Sequence, residues 1–285
     1  MLQKGSEPMF EIAFLGTGGG RFAMITQKIK TGGLRILSDR LDLHVDPGPG
    51  ALVYSLEMGL NPQKIDAILV SHSHLDHTND LGVLIEAMTH GATKKKGMLA
   101  AAHSVLYGND ICDKAISNYH KGLPEKIVDA TLGTTFAVGA IKVKACKVVH
   151  SDPDAVGFRF ETEAFGEFAY LPDSEYFDEV SDFYGGVRLL ILSVLRPSGK
   201  PWKGHMSTDE AAKVISEVRP EKAVITHFGM LMMFKGPDRE ADLIERRTGV
   251  PTAAAKDGMR LTLGEAIQVG KPKKQVDLGS FMDPS

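Results

Sequence analysis

The spacing of hydrophobic residues along this chain changes between a period of two and a helical period, which predicts a mixed α/β fold. Phe10–Leu15 alternates over most of its length and predicts the first strand. The aliphatic run Ala67–Val70 predicts a buried strand. Residues 78–89 then place their apolar side chains at helical spacing, so a helix is expected there.

The same patterns predict the remaining elements. Strands are expected at residues 34–37, 41–45, 141–149, 156–161, 167–171, 189–194, 223–226, 251–255 and 259–263, and helices at residues 51–58, 208–218 and 237–247. Ser207 and Glu210 form a capping-box motif at the start of the second of these helices. Gly166 lies between two strands of similar length and predicts a hairpin.

Three histidines and one aspartate lie within six residues, directly after the strand predicted at residues 67–70. In an extended segment His72 and His74 point to the same side, so both can bind one ion. Asp76 and His77 are adjacent, point in different directions and suit a second ion. Imidazole and carboxylate ligands favour zinc, or iron or manganese in a harder site. The alternative is a surface turn that happens to be rich in histidine.

Other histidines and carboxylates also follow predicted strands. His150 ends the strand at residues 141–149, and the hairpin returns Asp173 close to it. The helix after His205 is roughly 18 Å long at about 1.5 Å per residue, and the strand before His227 returns a similar distance. His205 and His227 are therefore expected side by side. Asp46 is expected either to support the histidine loop or to cap a turn.

Two motifs allow more than one interpretation. The glycine loop at residues 16–20 has Arg21 where a dinucleotide-binding fingerprint needs its third glycine, and it lacks the Gly-Lys-Ser/Thr end of a Walker loop. It predicts either a loop whose backbone N–H groups approach a ligand or a plain turn. Lys94–Lys96 are expected in a solvated loop, with phosphate binding as the alternative.

Composition narrows the class of protein. The chain has 285 residues, of which 43% are hydrophobic and 24% charged, as in ordinary globular proteins. A net charge of −3 provides no overall basic field for nucleic acid, although a local basic groove stays open. Cys112 and Cys146 lie in unrelated contexts and predict thiols rather than a disulfide. Without an apolar leader or membrane-spanning run in the sequence, a cytoplasmic location and no membrane contact are expected.

The order of these residues resembles the metallo-β-lactamase superfamily. The residues that carry the resemblance are His72, His74, Asp76, His77, His150, Asp173 and His227. Within that superfamily, Lys203–Thr208, Ile225–Phe228 and Leu15–Gly18 are similar to the ribonuclease Z and cyclic phosphodiesterase branch. The resemblance covers nearly the whole chain and implies an α/β (α+β) fold, a four-layer αββα sandwich with metals at one edge of its two sheets.

Carried over position by position, the resemblance assigns the ligands of two metal ions and one bridging residue: His72, His74 and His150 for one ion, Asp76, His77 and His227 for the other, and Asp173 between them. Two divalent ions are implied, with Zn2+ as the first expectation and Mn2+ or Fe2+ as alternatives. Because these residues run through most of the chain, one catalytic domain is expected over residues 1–285, with a loose tail from about residue 271. Relatives are often homodimers, so a homodimer is a family-level expectation.

The expected activity is hydrolysis of phosphodiesters, small or nucleotide-like, by a metal-bridging hydroxide. Asp76 is expected to orient the attacking water or take its proton. His205 is expected, as the imidazolium, to stabilise the phosphate or protonate the leaving alkoxide, because the pKa of histidine is near neutral. The alternative for His205 is a supporting contact with His227.

The sequence also departs from ribonuclease Z. Only 23 positions separate His150 from Asp173, too few for the long arm with which many of those enzymes hold tRNA. Thr78–Gly82 and Phe228-Gly229 differ from that family's motifs as well. RNA is therefore an alternative substrate. The same ligand pattern also fits an acyl or lactone ester hydrolase with the same metals, and a metal-stabilised binding protein without catalysis.

Overall fold

The computed structural model describes residues 10–270. The strands are β1 (Phe10–Phe14), β2 (Leu34–Ser38), β3 (Leu41–Val45), β4 (Ala67–Val70), β5 (Met98–Ala101), β6 (Lys126–Asp129), β7 (Thr135–Val138), β8 (Ile141–Lys147), β9 (Val156–Thr162), β10 (Gly166–Leu171), β11 (Leu189–Ser193), β12 (Lys222–Thr226), β13 (Thr252–Ala254), β14 (Arg260–Leu263) and β15 (Ile267–Gly270). The helices are α1 (Gly20–Thr26), α2 (Ala51–Glu57), α3 (Leu75–Thr78), α4 (Leu81–Met88), α5 (His103–Tyr107), α6 (Asn118–Lys121), α7 (Val180–Tyr184), α8 (Thr208–Val218), α9 (Met230–Lys235) and α10 (Pro237–Thr248), with a 3-10 turn at Pro62–Lys64.

The strands form two sheets. The first has the order β15-β14-β1-β2-β3-β4-β5-β6, and the second has the order β13-β12-β11-β10-β9-β8-β7. Neighbouring strands from β3 to β6 are parallel, and so are those from β10 to β13. The carboxyl ends of parallel strands lie at the same edge of a sheet, so the loops that follow these strands are neighbours.

The second sheet shows how the layers are built. Successive side chains of a strand point to opposite faces. Ile191 and Val224 pack in a core that also contains residues of the first sheet. Their neighbours Leu192 and Ile225 pack in a separate core with apolar residues of α7, α8 and α10. Helices α2 and α4 contribute to the core of the first sheet. The result is the predicted four-layer arrangement of helix, sheet, sheet and helix.

Most predicted elements are confirmed, including the hairpin around Gly166 and the capping box of α8. The helix expected at residues 78–89 was wrong in its start: the chain forms α3 and then α4. The sequence patterns missed short elements that lack a clear period, namely α1, β5, α5, α6, β6, β7, α7, α9 and β15. The predicted loose tail from about residue 271 lies outside the described residues. Among residues 10–270, no helix combines the length and apolar character needed to cross a membrane.

Candidate metal centre

The predicted histidines and carboxylates follow strands of both sheets. In the first sheet, β3 leads into Asp46 and β4 leads into residues 71–77. In the second sheet, β8 precedes His150, β10 precedes Asp173 and β12 precedes His227. Ligand sites of α/β sheets favour the carboxyl ends of strands. The topology therefore brings residues that are distant in sequence to one cleft.

Three histidines, His72, His74 and His150, form what we call the three-histidine group. Nδ1 of His74 lies 3.1 Å from Nε2 of His72 and 3.2 Å from Nε2 of His150. Together with an oxygen of Asp173, one nitrogen from each ring lies within 4.8 Å of all the others. Four potential ligand atoms thus surround one small volume.

In His72 and His150, the ring nitrogen that faces away from the group is hydrogen bonded. This contact determines which nitrogen of the neutral ring carries the lone pair. The Ser71 hydroxyl donates to a neighbouring carboxylate at 2.8 Å, so it accepts from Nδ1 of His72 at 3.0 Å. Nδ1 of His150 donates to the Gly204 carbonyl at 2.7 Å. In the neutral rings, Nε2 of His72 and of His150 therefore carries a lone pair directed at His74. An N–H at Nδ1 of His74 could donate to only one of these two lone pairs at a time, whereas a shared cation would satisfy both.

Asp76, His77 and His227 form a second set, which we call the mixed group. Nε2 of His227 lies 3.1 Å from Nε2 of His77 and 3.3 Å from Oδ2 of Asp76. Nδ1 of His77 donates to Asp46 at 2.9 Å, which leaves Nε2 as the inward-facing atom of the neutral ring. The mixed group therefore repeats the logic of the three-histidine group, with one carboxylate in place of an imidazole.

Asp173 lies between the two groups. Its Oδ1 is 3.1 Å from Nδ1 of His227, and its Oδ2 is 3.2 Å from Nδ1 of His205 and 3.7 Å from Nε2 of His77. Within residues 10–270, Oδ1 of Asp173 and Nδ1 of both His205 and His227 are buried without an aligned hydrogen bond. Buried polar atoms are normally hydrogen bonded, so these atoms indicate a missing charged ligand.

The spacing of the nitrogens fits tetrahedral metal coordination. Two histidine nitrogens bound to zinc at about 2.0–2.1 Å are separated by about 3.3 Å. The separations of 3.1 and 3.2 Å in the three-histidine group, and of 3.1 Å between His77 and His227, are close to this value. Histidine and aspartate also suit iron and manganese. The residues of this site therefore fit two divalent ions.

The electrostatics favour metal binding over proton binding in the three-histidine group. Burial lowers the pKa of His150 to about 4. Burial also lowers the pKa of His72 and the pKa of His74. Burial opposes ionisation of Asp173, but the rings of His227 and His205 lower its pKa well below the usual range. Near neutral pH this site contains neutral imidazoles and an ionised carboxylate, which are the protonation states that bind metals.

Two of the six non-glycine residues with positive φ in residues 10–270 lie at this site. Asp46 and His227 have φ values of 53° and 61°, in the left-handed region that non-glycine residues rarely adopt. A Cβ atom on Gly19 would lie 2.1 Å from the His227 ring, so only glycine fits there. The next amide, of Gly20, donates to Oδ2 of Asp76 at 2.8 Å. The glycine loop therefore allows close packing and positions Asp76.

Sequence reasoning missed Asp152, which supports the histidine loop. Its Oδ2 accepts from the amide of Ser73 at 3.0 Å, from the Ser73 hydroxyl at 2.9 Å and from the Ser104 hydroxyl at 2.6 Å. Ser73 separates His72 from His74, so Asp152 fixes the backbone between two candidate ligands. The available signal was a carboxylate two residues after His150, which is weak by itself.

Lys94–Lys96 lie away from this site. They precede the amino end of β5, whereas the candidate ligands follow the carboxyl ends of strands. Nζ of Lys96 donates to the Gln63 carbonyl at 3.1 Å. Lys94 and Lys95 are exposed, as expected for a solvated loop.

Comparisons with known proteins agree with this geometry. A family model described as the beta-lactamase superfamily domain matches residues 42–228. The uncharacterized protein MJ1374 of Methanocaldococcus jannaschii is 36% identical over 255 residues, which cover 89% of this chain and 95% of that protein. Ribonuclease Z of Pyrococcus furiosus is 25% identical over 294 residues, which cover 96% of this chain and 86% of that enzyme.

A solved structure shares the fold. The metallo-β-lactamase fold protein YhfI from Bacillus subtilis superposes with a TM-score of 0.74 at 21% identity, covering 90% of this chain and 99% of that chain. The residues matched by the family model include the whole three-histidine group and the whole mixed group. As its motifs predicted, the chain belongs to the metallo-β-lactamase superfamily.

Proposed function

We propose that the protein is a dinuclear metal-dependent phosphodiesterase. The proposed ligands are His72, His74 and His150 for one ion, Asp76, His77 and His227 for the other, and Asp173 as the bridge. The observation that carries this proposal is the convergence of histidine nitrogens and carboxylate oxygens on two adjacent points, where one ligand atom from each residue lies within 4.8 Å of the others. Zinc is the proposed metal, with manganese or iron as alternatives.

Two divalent ions supply Lewis acidity, which makes water easier to ionise and stabilises charge on phosphoryl oxygens. Asp76 has a second role besides binding a metal. The Gly20 amide and the His227 ring both approach its Oδ2, at 2.8 and 3.3 Å. This contact fixes the carboxylate, and we assign its Oδ1 to orienting the attacking water and accepting its proton.

His205 is the proposed general acid. Burial lowers the pKa of His205, but the adjacent Asp173 carboxylate raises it by more, so the pKa lies above the ordinary value. In the metal-free protein the imidazolium is therefore populated near neutral pH. The side chain is 16% exposed, against 1% for Asp173, which places it on the solvent side of the carboxylate. From there it can donate a proton to the leaving alkoxide.

The charge of His205 also favours a phosphodiester over a neutral ester. A phosphodiester is anionic at all ordinary pH values, and an imidazolium beside the ions complements it. One relative is named ribonuclease Z, which is consistent with cleavage of a phosphodiester bond. That relative also keeps RNA as a second candidate substrate, whereas carboxylic esters and lactones have no feature of the site in their favour.

The test combines a metal count with hydrolysis of bis(p-nitrophenyl) phosphate. It compares the wild type, His205→Ala and the control His103→Ala. His103 is a suitable control because it is 42% exposed and pairs with Asp129 at 2.8 Å, outside both groups. We expect about two ions per chain in all three proteins. We expect activity toward an unactivated alkyl phosphodiester to fall by about 100-fold or more in His205→Ala alone, as for loss of a general acid. Activity toward bis(p-nitrophenyl) phosphate should fall less, because p-nitrophenolate leaves without a proton.

Each other outcome has a distinct meaning. Two ions with hydrolysis of carboxylic esters or lactones, but not of phosphodiesters, would overturn the phosphodiesterase proposal. Loss of metal in His205→Ala would make His205 a ligand, since its Nδ1 lies within 4.8 Å of the donor atoms of Asp173 and His227. One ion or none in the wild type would overturn the dinuclear site.

A further inference from the structure

The segment from Arg196 to His205 connects β11 to α8, and we call it the tryptophan loop. Its two ends are joined by hydrogen bonds from the Arg196 amide to Met206 at 3.3 Å and from the Thr208 amide to Arg196 at 3.0 Å. The loop contains Trp202, the single tryptophan of the chain. It has no role in the metal centre described above except at its last two residues.

Hydrogen bonds to two carboxylates hold the tryptophan loop in one conformation. Asp209 accepts from the Ser198 hydroxyl and from the Gly199 amide, both at 2.7 Å. Glu240 accepts from the Ser198 amide at 2.9 Å. Both carboxylates that contact this part of the loop accept hydrogen bonds from its backbone amides or its hydroxyl group. A loop held this way presents its exposed side chains in fixed positions.

The exposed side chains are one aromatic ring and several cations. Trp202 is 57% exposed. The guanidinium of Arg196 lies 4.9 Å from the centre of its ring, on one face. Lys200 and Lys203 are exposed, and within residues 10–270 neither forms an ion pair at 4.0 Å or less. The segment 196–205 contains no acidic residue. A half-exposed aromatic ring beside unpaired cations is the chemistry that binds nucleotides.

The tryptophan loop also touches the metal centre. The Trp202 carbonyl accepts from the His205 amide at 3.1 Å. The Gly204 carbonyl accepts from Nδ1 of His150 at 2.7 Å. The aromatic ring is therefore three residues from the proposed general acid and two residues from a carbonyl that orients a candidate ligand. A substrate whose phosphate lies at the ions can extend onto this loop.

We propose that the tryptophan loop is a nucleobase subsite: a base of the substrate stacks on the face of the Trp202 ring opposite Arg196, and Lys200 and Lys203 contact its phosphate or sugar. This inference rests on the proposed phosphodiesterase function and narrows the substrate to nucleotide-containing phosphodiesters. Stacking of a base on an aromatic side chain contributes about 10-fold or more to binding. Because Trp202 provides the preference for substrates that contain a base, a substitution of Trp202 should change this preference without changing the chemistry at the ions.

Two substrates with the same leaving group test the proposal. One is the p-nitrophenyl ester of thymidine 5′-monophosphate, and the other is methyl p-nitrophenyl phosphate, which has no base. We expect the metal-loaded wild type to prefer the thymidine substrate in kcat/KM by about 10-fold or more. Trp202→Ala should lose this preference through a higher KM, and Trp202→Phe should retain most of it. Tyr119→Ala, which removes an aromatic ring that is 59% exposed elsewhere, should change nothing.

Fluorescence gives a readout that does not depend on catalysis. Because Trp202 is the single tryptophan, its emission reports this site alone. Thymidine 5′-monophosphate should quench it in a saturable way, and methyl phosphate at the same concentration should not. Absence of quenching, or an emission shift that follows protein concentration without nucleotide, would overturn the proposal; the latter would place the ring between copies of the chain.

Failure of the subsite and failure of the proposed function have different signatures. If both substrates are hydrolysed equally well and Trp202→Ala changes neither, the nucleobase subsite is wrong and the phosphodiesterase stands. If neither substrate is hydrolysed, the phosphodiesterase is wrong, and the quenching experiment still decides whether Trp202 binds a nucleotide.

Discussion

Two buried clusters of charged side chains differ in how many of their hydrogen-bond donors and acceptors have a partner within the cluster. The first, which we call the arginine cluster, is centred on Arg35, a fully buried side chain. Its Nε donates to Asp42 at 2.7 Å, its Nη2 donates to the other oxygen of that carboxylate, and its Nη1 donates to the Ser55 hydroxyl at 3.2 Å. The Asn61 carbonyl lies 3.5 Å from Nη2. Donors and acceptors match, so this cluster needs no ligand.

In the candidate metal centre, by contrast, donors and acceptors do not match. Its histidine nitrogens and carboxylate oxygens face one another, and within residues 10–270 three buried atoms of Asp173, His205 and His227 have no aligned partner. Burial and charge are common to both clusters, so neither property identifies a functional site. A functional site is identified instead by an excess of lone pairs that converge on one point. Substitutions in the two clusters should therefore have different consequences.

The largest effect is expected for Asp173→Asn. The substitution keeps the shape of the side chain but removes the charge that both metal groups share. Loss of an outer partner of a metal ligand costs about 10- to 100-fold, so loss of the bridging carboxylate should reduce kcat/KM by more than about 100-fold. The measurement pairs hydrolysis with metal content. Full activity with two bound ions would show that Asp173 is not the bridge.

Arg35→Met should have a large effect of a different kind. It leaves Asp42 without its partner, and its carboxylate is only 14% exposed. Removing one member of a buried pair should lower the free energy of unfolding by about 3 kcal/mol. Urea unfolding measures this loss, and metal content and activity per folded molecule should not change. The double variant Arg35→Met/Asp42→Leu should recover stability, because an apolar pair can replace a buried ion pair. Loss of bound metal in Arg35→Met would show that the arginine cluster also supports the metal centre, which contradicts the proposed difference between the two clusters.

A smaller effect is expected for Asp46→Asn. Asp46 accepts from the Ser71 amide at 2.7 Å, from Nδ1 of His77 at 2.9 Å and from the Tyr170 hydroxyl at 3.0 Å. An amide in place of the carboxylate weakens the orientation of His77, so metal affinity should fall by about 10- to 100-fold. Competition with a chelator measures this change. Tyr170→Phe removes one donor only and serves as the control; an equal loss there would mean that packing, not the carboxylate, is responsible.

Local sequence patterns accounted for much of the fold and for the placement of the candidate site. His72 and His74 share a side because the segment that holds them is extended, and the prediction needed no distant contact. His150 and Asp173 came together because the hairpin that separates them is short. Elements such as α1 were missed, since a seven-residue helix with exposed Phe22 and Ile25 has no clear amphipathic period.

Contacts between distant segments were beyond sequence reasoning. Asp152 reaches Ser73 across 79 positions, and Gly204 reaches His150 across 54 positions. Nothing in the local pattern around Asp152 distinguishes it from a turn aspartate. The exposure of Trp202 likewise depends on how Asp209 holds the loop. The residues with strong local chemistry were therefore predictable, and so was Asp46, which follows a strand and supports His77. Positioning groups without such a local signal, Asp152 and the Gly204 carbonyl, were not.

The smallest expected effect is a difference in proton binding between the three-histidine group and the mixed group. Burial lowers the pKa of His150 to about 4 and also lowers the pKa of His72 and of His74, so the three-histidine group is neutral near pH 7. Burial also lowers the pKa of His77, but the carboxylates of Asp46 and Asp76 raise it by more, so the pKa ends well above 6.5. In the metal-free protein, the stability that this proton provides is complete below pH 6.5 and is lost as the pH rises through the raised pKa.

Metal binding at the mixed group must therefore displace the His77 proton, whereas binding at the three-histidine group displaces none. Near neutral pH we expect binding of the ions to release protons, and the affinity of the mixed group to rise more steeply with pH than that of the three-histidine group. Calorimetric titration of the metal-free protein in buffers of different ionisation enthalpy measures the number released. His205→Ala should release as many protons as the wild type, because His205 keeps its proton as the acid. A smaller number in this variant would mean that His205 loses its proton when the ions bind, and an equally steep rise with pH for the three-histidine group would contradict its lowered pKa values.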